Sequence, residues 1–233
     1  MIRCATFIVL ACFFTTLQAT AADEPKKVRL FILSGQSNMA GLDPDVSFTP
    51  AIKAAFPKDE VIVVKSAQSG QPIRRWHKAW KAPEGATVKA TGKNGDLYDV
   101  LMAAVKKAVG DKKPDTVSFV WMQGERDAKE NLSAVYGESL RGLVQQLQTD
   151  LGRKDITVVI GRLSDCETTE HWKSVRNIQV TFGDKEPHSA WVDTDDLNGP
   201  QNGLHYTKEG YAQLGSRFAV KTIDLLSKSS EKK

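Results

Sequence analysis

The stretch VRLFILSGQSN at residues 28–38 runs a mostly apolar segment directly into a glycine and serine turn. Continuous apolar runs that contain β-branched residues are typical of strands covered on both faces of a parallel sheet. Four further runs of this kind follow, at Val61–Lys65, Thr116–Met122, Ile156–Ile160 and Ala190–Val192. The sequence therefore predicts about five parallel strands, of which residues 28–33 form the first.

Segments of helical period separate the predicted strands. Apolar residues recur every three or four positions through Leu97–Val109, Leu132–Leu151 and Tyr211–Leu226, which is the spacing of one buried helical stripe. Thr207 and Asn131 precede two of these helices and are predicted N-caps. The alternation of strand and helix predicts an α/β fold, a single doubly wound domain with helices on both faces of the sheet.

Length and composition fit one domain of this kind. The chain has 233 residues, of which 41% are hydrophobic and 26% charged, with a formal net charge of +4. These values exclude collagen-like, disordered and multi-span membrane classes. Basic residues do not cluster among aromatic ones, so we expect no nucleic-acid partner. We assign the domain to residues 22–226 and predict a disordered tail at residues 227–233, where low complexity appears.

The N-terminus has the pattern of a secretory signal peptide. Arg3 precedes an apolar run at Ala5–Phe14, and Ala19–Ala21 forms an A-x-A cleavage site. A membrane-spanning helix needs roughly 20 apolar residues, and this run is about half as long. We therefore predict a signal peptide at residues 1–21, export to the periplasm or the extracellular space, and no integral membrane segment after cleavage.

Cleavage would leave Cys166 as the one cysteine of the exported chain. A single cysteine cannot form an internal disulfide, so the hydrophobic core must provide the stability. The neighbouring carboxylates of Asp165 and Glu167 disfavour a thiolate. We therefore do not expect Cys166 to be a nucleophile.

Groups suited to acyl transfer follow three of the predicted strands. In doubly wound sheets, functional residues gather at the carboxyl ends of the strands. Ser37 follows the first strand, Gln123 follows the third, and His205 lies in the long segment after the fifth. A serine hydrolase needs a hydroxyl, an imidazole to accept its proton, and N–H donors for the oxyanion. These residue types favour a hydrolase.

The sequence blocks around these residues resemble the SGNH hydrolases, in the branch of sialate O-acetylesterase-like and carbohydrate esterase family 6 domains. The blocks are SGQSNMAG at 34–41, SGQPI with Trp76 at 69–76, WMQGERD at 121–127, the W-x-x-x-R-x-x-Q pattern at 172–179, GLHY at 203–206 and LGSR at 214–217. They stand in the family order, with Met122 where histidine is usual. The resemblance implies a flavodoxin-like SGNH fold.

The same resemblance implies a role for each matching residue. Ser37 would be the nucleophile, and its N–H, the N–H of Gly70 and the side-chain amide of Gln123 would form the oxyanion hole. His205 would be the general base and later the acid. The implied reaction removes O-acetyl groups from a carbohydrate, either sialic acid or an acetylated polysaccharide, through an acyl-enzyme.

One residue departs from the family pattern. The closing motif is D-x-x-H, but Asn202 stands where the acid is usual. The Asn202 carbonyl oxygen can still accept from His205 without supplying charge, whereas Asp to Asn costs about 10⁴-fold in a serine protease. Substitute acids could be Glu125, Asp195 and Asp196.

Three functions remain open from the sequence. The first is a carbohydrate O-acetylesterase whose Ser37 and His205 dyad is assisted by Asn202 or a substitute acid. The second is a carbohydrate-binding pseudo-esterase in which Asn202 marks weak or lost catalysis. The third is an SGNH enzyme that acts on another acyl ester.

Residues after the glycine block are weaker candidates. Arg74, Arg75 and Trp76 suit pairing with a carboxylate and stacking on a sugar, while a solvated basic loop is the alternative. The four histidines show no metal-ligand spacing, and no phosphate-binding glycine loop occurs. We therefore expect neither a metal nor a cofactor.

Overall fold

The centre of the fold is a sheet of five parallel strands. A computed structural model of the chain describes residues 26–88 and 91–230, with side chains up to residue 228. The strands are β1 (Val28–Gly35), β2 (Glu60–Ala67), β3 (Thr116–Met122), β4 (Thr157–Gly161) and β5 (Ser189–Val192). Their order is β2-β1-β3-β4-β5, and every neighbouring pair is parallel. The five predicted strands are confirmed, with ends shifted by at most two residues.

Helices flank the sheet on both sides. They are α1 (Ser37–Gly41), α2 (Phe48–Ala55), α3 (Asp96–Val109), α4 (Glu125–Lys129), α5 (Ser133–Asp150), α6 (Glu170–Lys185) and α7 (Lys208–Ser230). Right-handed crossovers in this strand order place α2 on one face and α3, α5 and α6 on the other. Accordingly, α2 packs against α7, and α5 packs against α6. The predicted doubly wound α/β class is confirmed.

The core lies on both faces of the two central strands. Phe31 on β1 meets Phe48 of α2 edge-on, with ring centroids 5.9 Å apart. On β3, Phe119 and Trp121 are fully buried and in contact. Burial of apolar surface stabilises the folded state by roughly 25 cal/mol per Å² buried. In the described part of the chain, Cys166 is a free cysteine and forms no disulfide that would add to this packing.

Two predicted helix boundaries need correction. α7 continues to Ser230, four residues into the predicted tail, because the buried Leu226 anchors its last turns against the core. Asn131 does not cap α5, which begins at Ser133; Asn131 has a left-handed φ of 60° in the turn after α4. Thr207 is confirmed as a cap, since its Oγ1 accepts from the Gly210 N–H at 2.9 Å.

The strand register sets the position of the candidate site. Gly35, the last residue of β1, pairs with Ala67 of β2 and with Met122 of β3, so the three strands end at one level. The chain reverses its direction across the sheet at β1, and ligands of doubly wound sheets bind at such points. The predicted signal peptide at residues 1–21 lies outside the described residues. Within those residues, no helix has the length and apolar content to span a bilayer.

Candidate active site

The turn after β1 is pressed against the end of β3. Gly35 has a φ of 144°, and a side chain there would overlap the carbonyl oxygen of Met122. The Gln36 N–H donates to that same carbonyl at 2.9 Å. Glycine is therefore required for this close approach. Ser37 follows as the first residue of α1 and is half-buried.

The segment after β2 reaches the same edge. The Gln68 N–H donates to the Gly35 carbonyl at 3.0 Å, and Gly70 follows with a left-handed φ of 67° and an exposed backbone. The next residue, Gln71, accepts at its carbonyl from Nε2 of Gln123 at 3.1 Å. The three segments that carry the predicted oxyanion donors are thus in mutual contact.

The Gln123 amide is fully buried, and its direction is fixed. Nε2 faces three acceptors: Oδ2 of Asp127 at 2.6 Å, the Gln71 carbonyl at 3.1 Å and Oε1 of Gln36 at 3.3 Å. A reversed amide would direct oxygen at all three, which is unfavourable. Two hydrogens serve three acceptors, and the short contact with Asp127 takes one of them. The second hydrogen faces the Gln71 carbonyl and Gln36 Oε1, so it would reach a developing oxyanion only by leaving them.

Two buried carboxyl groups lie below this edge, on α4. Burial raises the pKa of Asp127 to about 6, although hydrogen bonds from Gln123 and the Ile73 N–H act in the opposite direction. Burial likewise raises the pKa of Glu125 to about 7. Sequence reasoning gave Asp127 no role, although it closes the quoted block at 121–127. Its place in the same block, four residues after Gln123, was the available signal.

The segment between β5 and α7, here called the His205 loop, lies beside the turn from β1 into α1, here called the Ser37 turn. Nδ2 of Asn38, the residue after Ser37, donates to the carbonyl of Leu204, the residue before His205, at 3.1 Å. The His205 residue is exposed. Among the described residues, neither Ser37 Oγ nor the His205 ring makes a side-chain hydrogen bond. The two segments are therefore adjacent, while no hydrogen bond joins Ser37 Oγ to the His205 ring within the described part of the chain.

Asn202 is held by an acidic neighbour. It has a left-handed φ of 43°, and its Nδ2 donates to Oδ1 of Asp165 at 3.1 Å. Because the NH₂ group faces Asp165, the carbonyl oxygen lies on the opposite side of the amide. Over the described ranges, no donor reaches that oxygen.

Two of the three predicted substitute acids are engaged elsewhere. Asp195 pairs with Arg162 at 2.6 Å and with both terminal nitrogens of Arg176 at 2.7 and 3.0 Å. Asp196 forms a two-pronged pair with Arg217 at 2.6 and 2.5 Å. Arginines bond both oxygens of each carboxylate, and no hydrogen bond joins Asp195 or Asp196 to His205 among the described residues. The third, Glu125, bonds Asn38 rather than the histidine.

The prediction that Arg74 and Arg75 bind substrate is wrong. Arg74 is 3% exposed and pairs with Glu130 at 2.9 Å. Arg75 forms two bonds to Asp96, at 2.5 and 2.8 Å. Burial of a guanidinium demands such partners, so these arginines brace the loop instead of facing solvent. The alternative of a solvated basic loop is wrong for the same reason.

Trp76 is also a core residue. It is 1% exposed, and its ring meets Trp121 edge-on with centroids 5.3 Å apart. Neither face of the ring is open to a sugar. The predicted stacking role is therefore wrong.

Comparison with known proteins assigns the chain to a family. The sequence profile of the carbohydrate esterases described as sialic acid-specific acetylesterases matches residues 40–224. The chain belongs to this carbohydrate esterase family. The matched range includes Gly70, Gln123, Asn202 and His205 and begins three residues after Ser37. The resemblance drawn from the sequence blocks is confirmed, and with it the SGNH fold.

Individual relatives are distant. A probable carbohydrate esterase from Arabidopsis thaliana is 25% identical over 184 residues, which are 78% of this chain and 63% of that protein. The chain therefore spans less than two thirds of that relative. A crystal structure of a protein from Arabidopsis thaliana has a TM-score of 0.64 at 21% identity, covering 86% of this chain and 99% of its own. A carbohydrate acetylesterase from Xanthomonas citri has a TM-score of 0.62 at 16% identity, covering 84% and 56%.

Among the described residues, no group of three or more histidine, cysteine, aspartate or glutamate side chains is arranged to hold a metal ion. The chemical groups that the strand ends bring to this edge are the Ser37 hydroxyl, the His205 imidazole and the Gln123 amide.

Proposed function

We propose that the protein is an exported serine esterase that removes O-acetyl groups from a carbohydrate through an acyl-enzyme on Ser37. The observation that carries the proposal is the 3.1 Å bond from Asn38 to the Leu204 carbonyl. This bond holds the Ser37 segment beside the His205 segment, which supports their proposed roles as nucleophile and base.

The chemistry proceeds in two acyl transfers. Ser37 Oγ attacks the acetyl carbonyl while His205 accepts its proton. The oxyanion accepts hydrogen bonds from the N–H groups of Ser37 and Gly70 and from the second Nε2 hydrogen of Gln123, which must then leave the Gln71 carbonyl and Gln36 Oε1. The sugar hydroxyl leaves with the proton that His205 returns. Water then attacks the acetyl-serine with His205 as base, which releases acetate and restores Ser37.

Asn202 would orient the imidazole without adding charge. Its NH₂ group bonds Asp165, so its carbonyl oxygen is the atom available to a ring N–H of His205. This arrangement would select the tautomer whose other nitrogen acts on Ser37. It would stabilise the imidazolium less than a carboxylate does, so we expect slow turnover.

The family supports a carbohydrate ester as substrate, and its description names sialic acid. The neighbour from Xanthomonas citri is called a carbohydrate acetylesterase. Acetylated sialic acid and acetylated polysaccharide are therefore the substrates to compare. Export rests on the signal-peptide pattern of residues 1–21.

A carbohydrate-binding pseudo-esterase is the second candidate. The observation that favours it is that no carboxylate of the described residues hydrogen-bonds the His205 ring, while Arg162, Arg176 and Arg217 pair with Asp195 and Asp196. An SGNH enzyme for another acyl ester is the third.

Turnover of 4-nitrophenyl acetate separates the first two candidates. Ser37→Ala should lower kcat by about 10³-fold or more, as loss of a triad nucleophile does. Ser216→Ala is a matched control, since Ser216 is exposed on α7. Wild-type turnover equal to that of Ser37→Ala would favour the pseudo-esterase. Acetate release from acetylated sialic acid, acetylated xylan and simple acyl esters then identifies the substrate class.

A further inference from the structure

The Asn38 amide is a buried junction of three elements. Asn38 is 2% exposed, and its Nδ2 donates to Oε1 of Glu125 at 3.0 Å and to the Leu204 carbonyl at 3.1 Å. Its Oδ1 accepts from the Tyr211 hydroxyl at 3.1 Å. One amide thus joins the Ser37 turn to α4, to the His205 loop and to α7.

The direction of this amide is fixed by its partners. The two groups that face Nδ2 are both acceptors, and the group that faces Oδ1 is a donor. Reversing the amide would turn its oxygen toward the Leu204 carbonyl and Oε1 of Glu125 and would lose both hydrogen bonds that Nδ2 donates, which is unfavourable for buried groups. The amide therefore acts as a rigid connection.

Glu125 supports the connection from below. It is 2% exposed, and one of its oxygens bonds Asn38. The other oxygen, Oε2, is buried and has no partner among the described residues. Burying the Glu125 carboxyl is energetically unfavourable. Among the described residues, its one side-chain hydrogen-bond partner is the Asn38 amide, next to Ser37.

We propose that Asn38 is a positioning residue that holds the His205 loop against the Ser37 turn, with Glu125 fixing the direction of its amide. This inference rests on the proposed function, because it concerns the alignment of Ser37 with His205. Neither Asn38 nor Glu125 touches the reacting atoms. A misplacement of about 1 Å between reacting groups can lower a rate by about 10²-fold.

Asn38→Asp tests the proposal because it keeps the side-chain volume and removes the donor to Leu204. We expect kcat for 4-nitrophenyl acetate to fall by about 10²-fold with KM unchanged. Labelling of Ser37 by a fluorophosphonate, followed by mass spectrometry, should slow by a similar factor, because it needs the same assisted attack. Thr222→Val, which removes a buried hydrogen bond within α7, is the control for general destabilisation and should keep kcat.

A double variant separates positioning from stability. In Asn38→Asp with Glu125→Gln, the introduced glutamine can donate to the introduced aspartate, so thermal stability should recover. The donor to Leu204 is still missing, so kcat and labelling should stay low. Recovery of kcat together with stability would overturn the proposal, as would an Asn38→Asp enzyme with wild-type kcat and labelling. Retention of turnover by Ser37→Ala would instead refute the proposed function.

Discussion

Replacing Asn202 by aspartate restores the acid of the family motif but places it against Asp165. The wild-type amide donates to Oδ1 of Asp165 at 3.1 Å. In Asn202→Asp, two carboxylates would face each other over about the same distance. The new acid would turn away from its neighbour or lose part of its charge. We therefore expect this single change to raise kcat/KM only slightly.

The size of the penalty follows from the contact distance. Two unit charges about 3 Å apart repel by about 1.4 kcal/mol in water-like surroundings, which are appropriate because both residues are exposed. Since 1.36 kcal/mol corresponds to a factor of ten in rate, relief of the repulsion is worth close to tenfold. Salt should reduce the difference by screening.

The assay compares Asn202→Asp with the double variant that also carries Asp165→Asn, in which the partner can donate to the new acid. We expect kcat/KM of the double variant to be about tenfold higher at pH 7.5 and low salt, with a smaller gain at 1 M salt. Asp165→Asn alone is the matched control and should be slightly slower than wild type, because a neutral amide oxygen holds the Asn202 NH₂ group less strongly than a carboxylate does. Equal rates for the single and double Asn202 variants at both salt concentrations would refute the reasoning.

Three further predictions address the fold around the site. Gly35→Ala should lower the free energy of unfolding by about 3 kcal/mol or more in urea titrations, because a side chain there overlaps the Met122 carbonyl oxygen; an unchanged midpoint would contradict this. Trp76→Ala should cost about 3–5 kcal/mol as a core cavity with KM for acetylated sugars unchanged, whereas a raised KM at full stability would restore the stacking role. Burial raises the pKa of Glu125 from its ordinary 4.5 to about 7, so the folded state binds more protons than the unfolded state between these pH values. Its stability should therefore fall by up to about 3 kcal/mol as pH rises through that window, and Glu125→Gln should flatten the pH dependence measured by calorimetry.

The strands could be predicted because burial on two faces leaves a direct mark on the sequence. Residues 28–33 and Thr116–Met122 are almost continuously apolar, and both lie in the centre of the sheet. Helix ends were harder to predict. The cap at Thr207 depends on local spacing and was found, whereas the turn at Asn131 is set by α4, a five-residue helix without a recognisable period.

Some features of the candidate site could likewise be predicted from the sequence, and others could not. The blocks that carry Ser37, Gly70 and Gln123 meet at one edge because parallel strands end together, which strand order and register dictate. Partners drawn from distant segments left no local signal. Arg75 could not be assigned from sequence because its acceptor, Asp96, lies 21 residues further on.

The two outer strands of the sheet differ twofold in length. β5 has four residues, and β2 has eight, each bordering a single strand among the described residues. An outer strand presents unpaired backbone groups to other molecules, and short strands limit that hazard. If the protein aggregates by strand addition at high concentration, the new strands should pair along β2, where lysine or proline substitutions at solvent-facing positions would raise solubility.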